Sequence, residues 1–344
     1  MLKLNQNDNI VSIKDAVLCE VARLAFEGKL DEDKGMLPYE MIPGPNAFFR
    51  CCIYKEREII RQRVRLAEGK APREDMYSGN IVQVISSACE ECTLGHYQVT
   101  DNCRRCVSKK CQSACRFDAI TMEAGRAHIN MDKCKECGKC AQACPYNAIV
   151  DLTRPCKRAC PVDAITWHKE TGVVKINEEK CIRCGACIEA CPFGAVGSRT
   201  FMVDIINKIR EGKKVVAMLA PAGEGQFGKG ITMGSLAKGV KELGFTDCVE
   251  VALGADLTAA YEAEEWAEAY AKGEKKVTSC CPAFVNMVKK HFPTLAGNIS
   301  TTVSPMCATS RMLKAQDPET ITVFVGPCIA KKEEILDSEL EGNA

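Results

Sequence analysis

The chain has 344 residues, with 46 Lys and Arg against 45 Asp and Glu, a formal charge of +1. That balance excludes a global attraction to nucleic acid or to an anionic membrane surface, and no apolar run of about 18 residues marks a membrane span. The 24 cysteines stand out. The N-terminus MLKLNQNDNI lacks the apolar core and small-residue cleavage site of a secretory signal, so the cysteines argue for a reducing, cytoplasmic setting with thiolates on metal rather than in disulfides.

Residues 1–88 read as a helical region without evident chemistry. Ile13, Val17, Val21 and Leu24 share one helical face. Glu56–Glu68 is rich in Arg and Glu, as expected of a helix on a wet surface. Pro38, Pro43 and Pro45 interrupt the segment between them. Cys19, Cys51 and Cys52 read as buried thiols, since free Cys packs as a small hydrophobe.

Residues 89–197 hold sixteen of the 24 cysteines and an internal repeat. One copy reads CQSACRFDAIT…HINMDKCKECGKCAQACP and the other CKRACPVDAIT…VKINEEKCIRCGACIEACP. Cys134-x2-Cys137-x2-Cys140-x3-Cys144-Pro145 and Cys181-x2-Cys184-x2-Cys187-x3-Cys191-Pro192 have the spacing of [4Fe-4S] cubane sites. In that pattern three thiolates of one turn bind one cluster, and the fourth reaches across to its neighbour. Each copy resembles a bacterial-type ferredoxin module with two clusters, and the segment reads as a tandem pair of such α+β modules. Small residues (Gly138, Ala141, Gly185, Ala186) let backbone approach a cluster closely.

The crossing rule groups Cys103, Cys106, Cys111 and Cys144 around one cubane, and Cys134, Cys137, Cys140 and Cys115 around a second. Cys181, Cys184, Cys187 and Cys160 make a third set. Cys156 and Cys191 are left over, because the positions 45 residues after Cys103 and Cys106 are Ala148 and Asp151. Cys89-x2-Cys92 is the nearest unused pair and would close a fourth set if it folds back. Two alternatives stay open: three clusters with Cys89, Cys92, Cys156 and Cys191 idle, or a structural zinc on Cys89, Cys92, Cys103 and Cys106.

Residues 198–344 alternate helices and strands. Helices are expected from Met202 to Ile209, around Leu236–Leu243, and at Thr258–Tyr270, Pro282–His291 and Ser304–Lys314. Strands are expected at Val215–Leu219, near Cys248–Ala252, and at Thr320–Val325. This order predicts an α/β domain with a parallel sheet, whose ligand sites lie in loops beyond the strands' carboxyl ends. The cysteine loops at 280–281 and 328 are each expected to follow an apolar strand.

Two motifs there carry a resemblance: Thr278-Ser279-Cys280-Cys281-Pro282 and Gly326-Pro327-Cys328-x2-Lys331-Lys332-x-Glu334. With Ala220-Pro221-Ala222, Leu243-Gly244-Phe245, Gly254-Ala255-Asp256-Leu257-Thr258 and Ser304-Pro305, they resemble the iron-only ([FeFe]) hydrogenases from about residue 213 to 336. The resemblance implies a partial catalytic domain for reversible proton reduction to dihydrogen, with electrons exchanged with ferredoxin or a similar redox protein. It also implies the H-cluster, a cubane joined to a two-iron unit. Cys281 and Cys328 would ligate that cubane. Cys280 would pass protons, Lys331 would hydrogen-bond a cyanide ligand, and Ala220, Pro221 and Ala222 would line the pocket. Glu262, Glu265 and Ser300 would relay protons to the surface, although glutamates on a helix are often simply solvated.

The family's third motif, with the last two cubane cysteines, is absent, and no cysteine follows Cys328. The expectation is therefore a fragment without a full active site, or a polyferredoxin-like carrier without hydrogen chemistry. Cys307 is the one other cysteine that might approach the site. Gly326 replaces the family's usual methionine and is expected to leave more room beside the pocket.

Overall fold

The computed structural model describes residues 2–50, 52–74, 79–90, 92–93, 96–168 and 170–337. Helix α1 (Ile10–Glu27) is capped at its start by the Asn9 side chain and at its end by left-handed Gly28. It buries Val17, Val21 and Leu24, as its periodicity requires. Helix α2 (Ile53–Ala67) packs beside it, and the two share one apolar core with Ile206. The expectation of a wet α2 is corrected. Glu56, Gln62 and Arg63 are all buried, because the helix is wedged against the cysteine-rich region: Arg63 Nη2 donates to Gly194 O at 2.9 Å, and Glu56 accepts the backbone N–H groups of Phe48, Phe49 and Arg50. Cys19 is exposed and Cys52 half-buried, so neither is a core thiol; Cys51 lies outside the described residues.

Among the described residues, the cysteine-rich region has eight short strands: β1 (Val82–Val84), β2 (Tyr97–Val99), β3 (Ile120–Glu123), β4 (Arg126–Ile129), β5 (Ile149–Asp151), β6 (Ile165–Trp167), β7 (Val174–Ile176) and β8 (Val196–Ser198). All pair antiparallel, β1 with β8, β2 with β5, β3 with β4 and β6 with β7. The β2–β5 pair therefore lies inside the loop that β1–β8 closes. This corrects the tandem reading: the modules are nested, an inner one spanning 97–151 inserted into an outer one made of 82–92 and 153–198. Leu152 N–H donates to His96 O at 2.5 Å, so the inner module enters and leaves at one point. Arg154 seals the junction, donating to Thr93 O at 3.1 Å and to Gly172 O at 2.6 Å, with its guanidinium 4.9 Å from the Trp167 ring centroid.

The last part begins with helix α3 (Met202–Arg210), which packs on α1. A three-stranded parallel sheet follows in the order β10–β9–β11, from β9 (Val215–Leu219), β10 (Asp247–Glu250) and β11 (Ile321–Val325). The central strand β9 is buried at all five positions, which explains its uninterrupted apolar sequence. Around it stand α4 (Met233–Glu242), α5 (Ala252–Ala271), α6 (Pro282–His291), α7 (Pro305–Gln316) and the short α8 (Lys331–Glu334). Helices α5 and α7 cross tightly at Gly254, where a Cβ would meet Pro305 O at 2.3 Å and Thr309 Oγ1 at 2.2 Å. Ser304 caps α7 through its side chain. One expected strand is missing: the residues before Cys280 form only an isolated parallel bridge, Val277 to Ile299, so the Cys280 loop hangs from α5 and the 299–303 segment instead of a sheet.

Nesting makes a direct prediction. Excising residues 97–151 and joining His96 to Leu152 should leave a soluble, folded remainder. The iron bound by the cysteine-rich region should fall by about half, read by metal analysis of the anaerobic protein.

Candidate iron–sulfur and hydrogen-handling sites

The backbone of the cysteine region repeats four times. A left-handed residue stands three places after each closing cysteine: Asp118 (φ 47°), Asn147 (48°), Asp163 (53°) and Gly194 (57°). Another stands two places after an opening cysteine, at Arg105 (53°), Glu136 (54°) and Arg183 (59°). Side-chain-bearing residues enter this region only at a cost. Its recurrence shows that each turn is wrapped to present sulfurs and amide N–H groups inward. Ala148, Ala164 and Ala195 N–H groups point at the sulfurs of Cys144, Cys160 and Cys191, at 3.4, 3.2 and 3.3 Å. Val174 N–H does the same to Cys89 at 3.4 Å.

The sulfurs converge in groups. Burial pushes the Cys156 thiol up to about 11, and the nearby Cys191, Cys89 and Cys92 sulfurs push it further the same way. Cys187 is raised to about 12 by burial, then by Cys181, Cys184 and Cys160, with Cys156 beyond them. Cys111 is raised by burial, with Cys144 and Cys106 as its sulfur neighbours, and Cys140 by burial, with Cys134 and Cys115. Cys103 is instead held low, chiefly by the Ala127 and Arg105 N–H groups. A buried thiol pushed up in this way loses its proton when a cation binds, so each group suits a metal cluster. Cys89, Cys156 and Cys191 share one core with Cys160 and Cys187, whereas Cys103, Cys111, Cys115, Cys134 and Cys140 share another. The zinc alternative would need Cys89 and Cys92 beside Cys103 and Cys106. Among the described residues, moreover, no three Cys, His, Asp or Glu side chains converge on a point that one metal ion could fill, whereas a cubane spreads its ligands around a larger cage.

The outer module is locked to the α/β part through the turn carrying Cys181 and Cys184. A Cβ on Gly185 would meet Ile329 at 2.8 Å, so the cluster turn lies directly on the residue after Cys328. Lys290 Nζ donates to Cys181 O at 2.7 Å and to Glu178 O at 3.0 Å. The His291 ring lies 2.9 Å from Lys180 O, and Arg183 pairs with Glu333. Lys290 and His291 end the helix that Cys281 begins, and Glu333 lies in the turn after Cys328. The two elements that carry Cys281 and Cys328 thus grip the same cluster turn.

At the α/β site, Ala220 ends β9, its N–H bonded to Val325 O at 2.9 Å; Pro221 and Ala222 are exposed. Cys280 and Cys281 are exposed and Cys328 is half-buried. Lys331 is buried, paired to Glu334 at 2.8 Å and 3.4 Å from Cys280 O. Glu262 is not merely solvated. Its carboxylate accepts Thr278 Oγ1 at 2.9 Å and Ser279 N–H at 3.0 Å, and Cys280 N–H lies 3.4 Å from the same Thr278 oxygen. Glu265, one turn on, accepts Ser300 Oγ at 2.6 Å, Thr301 N–H at 3.1 Å and Lys276 Nζ at 2.9 Å. Burial pushes its pKa up, but these donors outweigh burial and hold the carboxyl below its ordinary value. Ser279 joins the two halves, donating to Glu262 at 3.3 Å and to Thr302 O, while Thr302 N–H donates to Ser300 Oγ at 3.1 Å. The sequence gives no role to Lys276, and it shows Thr278, Ser279 and Glu334 only as members of the two motifs. Thr278 and Ser279 directly precede Cys280, and that adjacency is their only signal. A cavity of about 700 Å³ opens beside Ser279, Ser300, Ser304 and Glu334.

Two further expectations concern this site. Cys307 approaches it from the core side, its thiol acted on by the Glu334 and Lys331 charges and its N–H bonded to Ser304 Oγ. It is fully buried with Met218 and Met306, and burial pushes its thiol up to about 11. Gly326 leaves no extra room: a Cβ there would meet the Phe324 ring at 2.7 Å and Ala220 Cβ at 2.8 Å, so the phenyl ring fills the space.

Comparison with known proteins agrees with this geometry. Residues 213–344 match the model of the iron-only hydrogenase large subunit, C-terminal domain. Residues 152–195 match a 4Fe-4S dicluster domain and 127–150 a 4Fe-4S binding domain. The chain is [FeFe] hydrogenase-like, with 4Fe-4S ferredoxin domains and part of a catalytic domain. Among relatives of this hydrogenase-like chain, the periplasmic [Fe] hydrogenase large subunit of Nitratidesulfovibrio vulgaris is 30% identical over 166 residues, 42% of this chain and 39% of that protein. The NADP-reducing hydrogenase subunit HndD of Solidesulfovibrio fructosivorans is 27% identical over 316 residues, 81% and 45% of the two chains. The electron transport protein HydN of Escherichia coli is 36% identical over 53 residues, 15% and 30%. The chain spans less than half the length of these relatives. The dicluster match itself contains only six cysteines, and Cys89 and Cys92 bring that module to eight. No helix among the described residues is long and apolar enough to cross a membrane.

The Glu265 network gives a pH prediction. A carboxyl held low when folded adds stability above its unfolded value, and that stability fades as pH falls through the lowered one. Glu265→Gln should lower stability by about 1–3 kcal/mol at neutral pH. The gap should close below about pH 4 in urea unfolding curves.

Proposed function

We propose that this chain is the electron-supply and substrate-facing part of an [FeFe] hydrogenase that reversibly reduces protons to dihydrogen, exchanging electrons with a ferredoxin-type protein in a reducing cytoplasm. The observation that carries this reading is the grip of the Cys281 and Cys328 elements on the Cys181–Gly185 turn. An electron relay and a catalytic site that share one rigid contact are suited to passing charge.

Four cubanes would be held by Cys103, Cys106, Cys111 and Cys144; by Cys134, Cys137, Cys140 and Cys115; by Cys181, Cys184, Cys187 and Cys160; and by Cys89, Cys92, Cys156 and Cys191. Cys281 and Cys328 would provide two of the four thiolates of the H-cluster cubane, the other two coming from outside this sequence. When bound, the H-cluster supplies the redox-active iron at which protons and electrons combine. The chain's own residues then have separable tasks. The exposed Cys280 thiol holds and releases a proton, a task that suits a thiol far better than a hydroxyl. Thr278 and Ser279 fix that loop on Glu262. Ser300 and Glu265 continue the polar path toward Lys276 at the surface. Lys331 places a fixed positive charge under Cys280 for an anionic iron ligand, with Glu334 orienting it.

One observation favours a second reading, an electron carrier without hydrogen chemistry: over 53 residues the chain is also similar to the electron transport protein HydN of Escherichia coli. Infrared spectroscopy after maturation decides between them. Carbonyl and cyanide bands support the hydrogenase; their absence, with cubane resonances intact, leaves the carrier. In the active protein, Cys280→Ser should lower turnover about a hundredfold or more while those bands persist. A serine variant at full activity would remove Cys280 from the proton path.

A further inference from the structure

We propose that the tip of the inner module, around Cys103–Cys115, is a docking surface for a strongly acidic one-electron donor protein; this rests on reading that module as an electron relay. From Cys103 to Phe117 the chain carries Arg104, Arg105, Lys109, Lys110 and Arg116 and no acidic residue. All five cations are exposed, and among the described residues none has a side-chain hydrogen bond or ion pair. The matching stretch of the outer module differs. There Lys157 pairs with Asp163 and Arg158 approaches Asp151 at 3.9 Å. The chain as a whole is nearly neutral, so this concentration of unmatched charge is local to one turn and one short helix.

Two apolar side chains stand among the cations. Val107 is 96% exposed and Phe117 44% exposed. Bare apolar groups ringed by charge fit a protein contact better than a solvated face. The tip takes no part in the inner module's junction, which is built by His96, Leu152 and Arg154. Cys103 and Cys106 are only half-buried, so an electron received here enters just below the surface. Arg105 acts in part on its own module, through the Cys103 sulfur. Long-range attraction of an acidic partner uses such exposed charges directly, speeding encounter by about tenfold to a thousandfold.

The step is a single electron transfer: the reduced donor is oxidised and the module is reduced by one electron, with no bond made or broken. The test uses the full chain with its clusters. A reduced, strongly acidic bacterial two-cluster ferredoxin is mixed with it by stopped flow, with photoreduced deazaflavin as a small donor control. Reversing Arg104→Glu, Lys109→Glu and Lys110→Glu together should lower the second-order rate at least about tenfold, as should high salt on the unchanged chain. Iron content and the deazaflavin rate should not move. A milder Lys109→Gln, Lys110→Gln variant should fall in between and guards against misfolding of the reversal. Ferredoxin rates indifferent to both salt and substitution, with clusters intact, would overturn the docking surface. A chain without iron–sulfur absorbance would overturn the relay reading itself.

Discussion

The structure is organised by the need to hold anionic sulfurs in fours. Two of the six buried residues in the inner module's core are cysteines: Cys111 and Cys140 are buried beside Ile120, Ala127, Ile129 and Ile149. So few apolar side chains cannot hold a module of this size by themselves. The left-handed Arg105, Glu136 and Arg183 add strain that local sequence does not relieve. Cluster binding supplies what the apolar core lacks, so folding and metal loading are one event for these modules.

That constraint reaches the α/β part through contacts made by backbone carbonyls. Lys290 and His291 bond to carbonyls at 178, 180 and 181, and Lys332 bonds to Ser198 Oγ and Arg199 O at 3.0 Å. Because main-chain atoms are gripped, a shift of the cluster turn moves Cys281 and Cys328 with it. On the other side, the buried Arg63 lies under Gly194, where burial lowers its value to about 10 and the Cys191 sulfur partly restores it. The helical N-terminal region is thereby fixed to the same outer module, which gives residues 1–88 a structural task their sequence does not declare.

Much was legible because the chemistry writes itself into spacing. The Cys-x2-Cys-x2-Cys-x3-Cys-Pro runs, the buried strand Val215–Leu219 and the helix after Ser304 are local patterns, and each appears where expected. Nesting was legible only in part. Spacing offered Cys89 and Cys92 to the second copy if they folded back, but two repeats 45 residues apart look the same in tandem or inserted, and the β1–β8 pairing closes the outer module around the inner one. That insertion explains why the missing partners of Cys156 and Cys191 precede the first repeat. The burial of Glu56, Gln62 and Arg63 was hidden for another reason: a charged helix face reads as wet until a neighbouring domain covers it. Gly326 misled because a missing side chain suggests space, while Phe324, two residues away, fills it.

The central claim is that four sets of four sulfurs in the middle of this chain each hold a cubane. It is tested most directly by counting iron and acid-labile sulfide in the anaerobically purified protein, with paramagnetic resonance of its reduced form. The account predicts about sixteen of each from residues 89–191, with spectra broadened by clusters acting on one another. A count near twelve with zinc making up the difference, or colourless protein without iron, would contradict it.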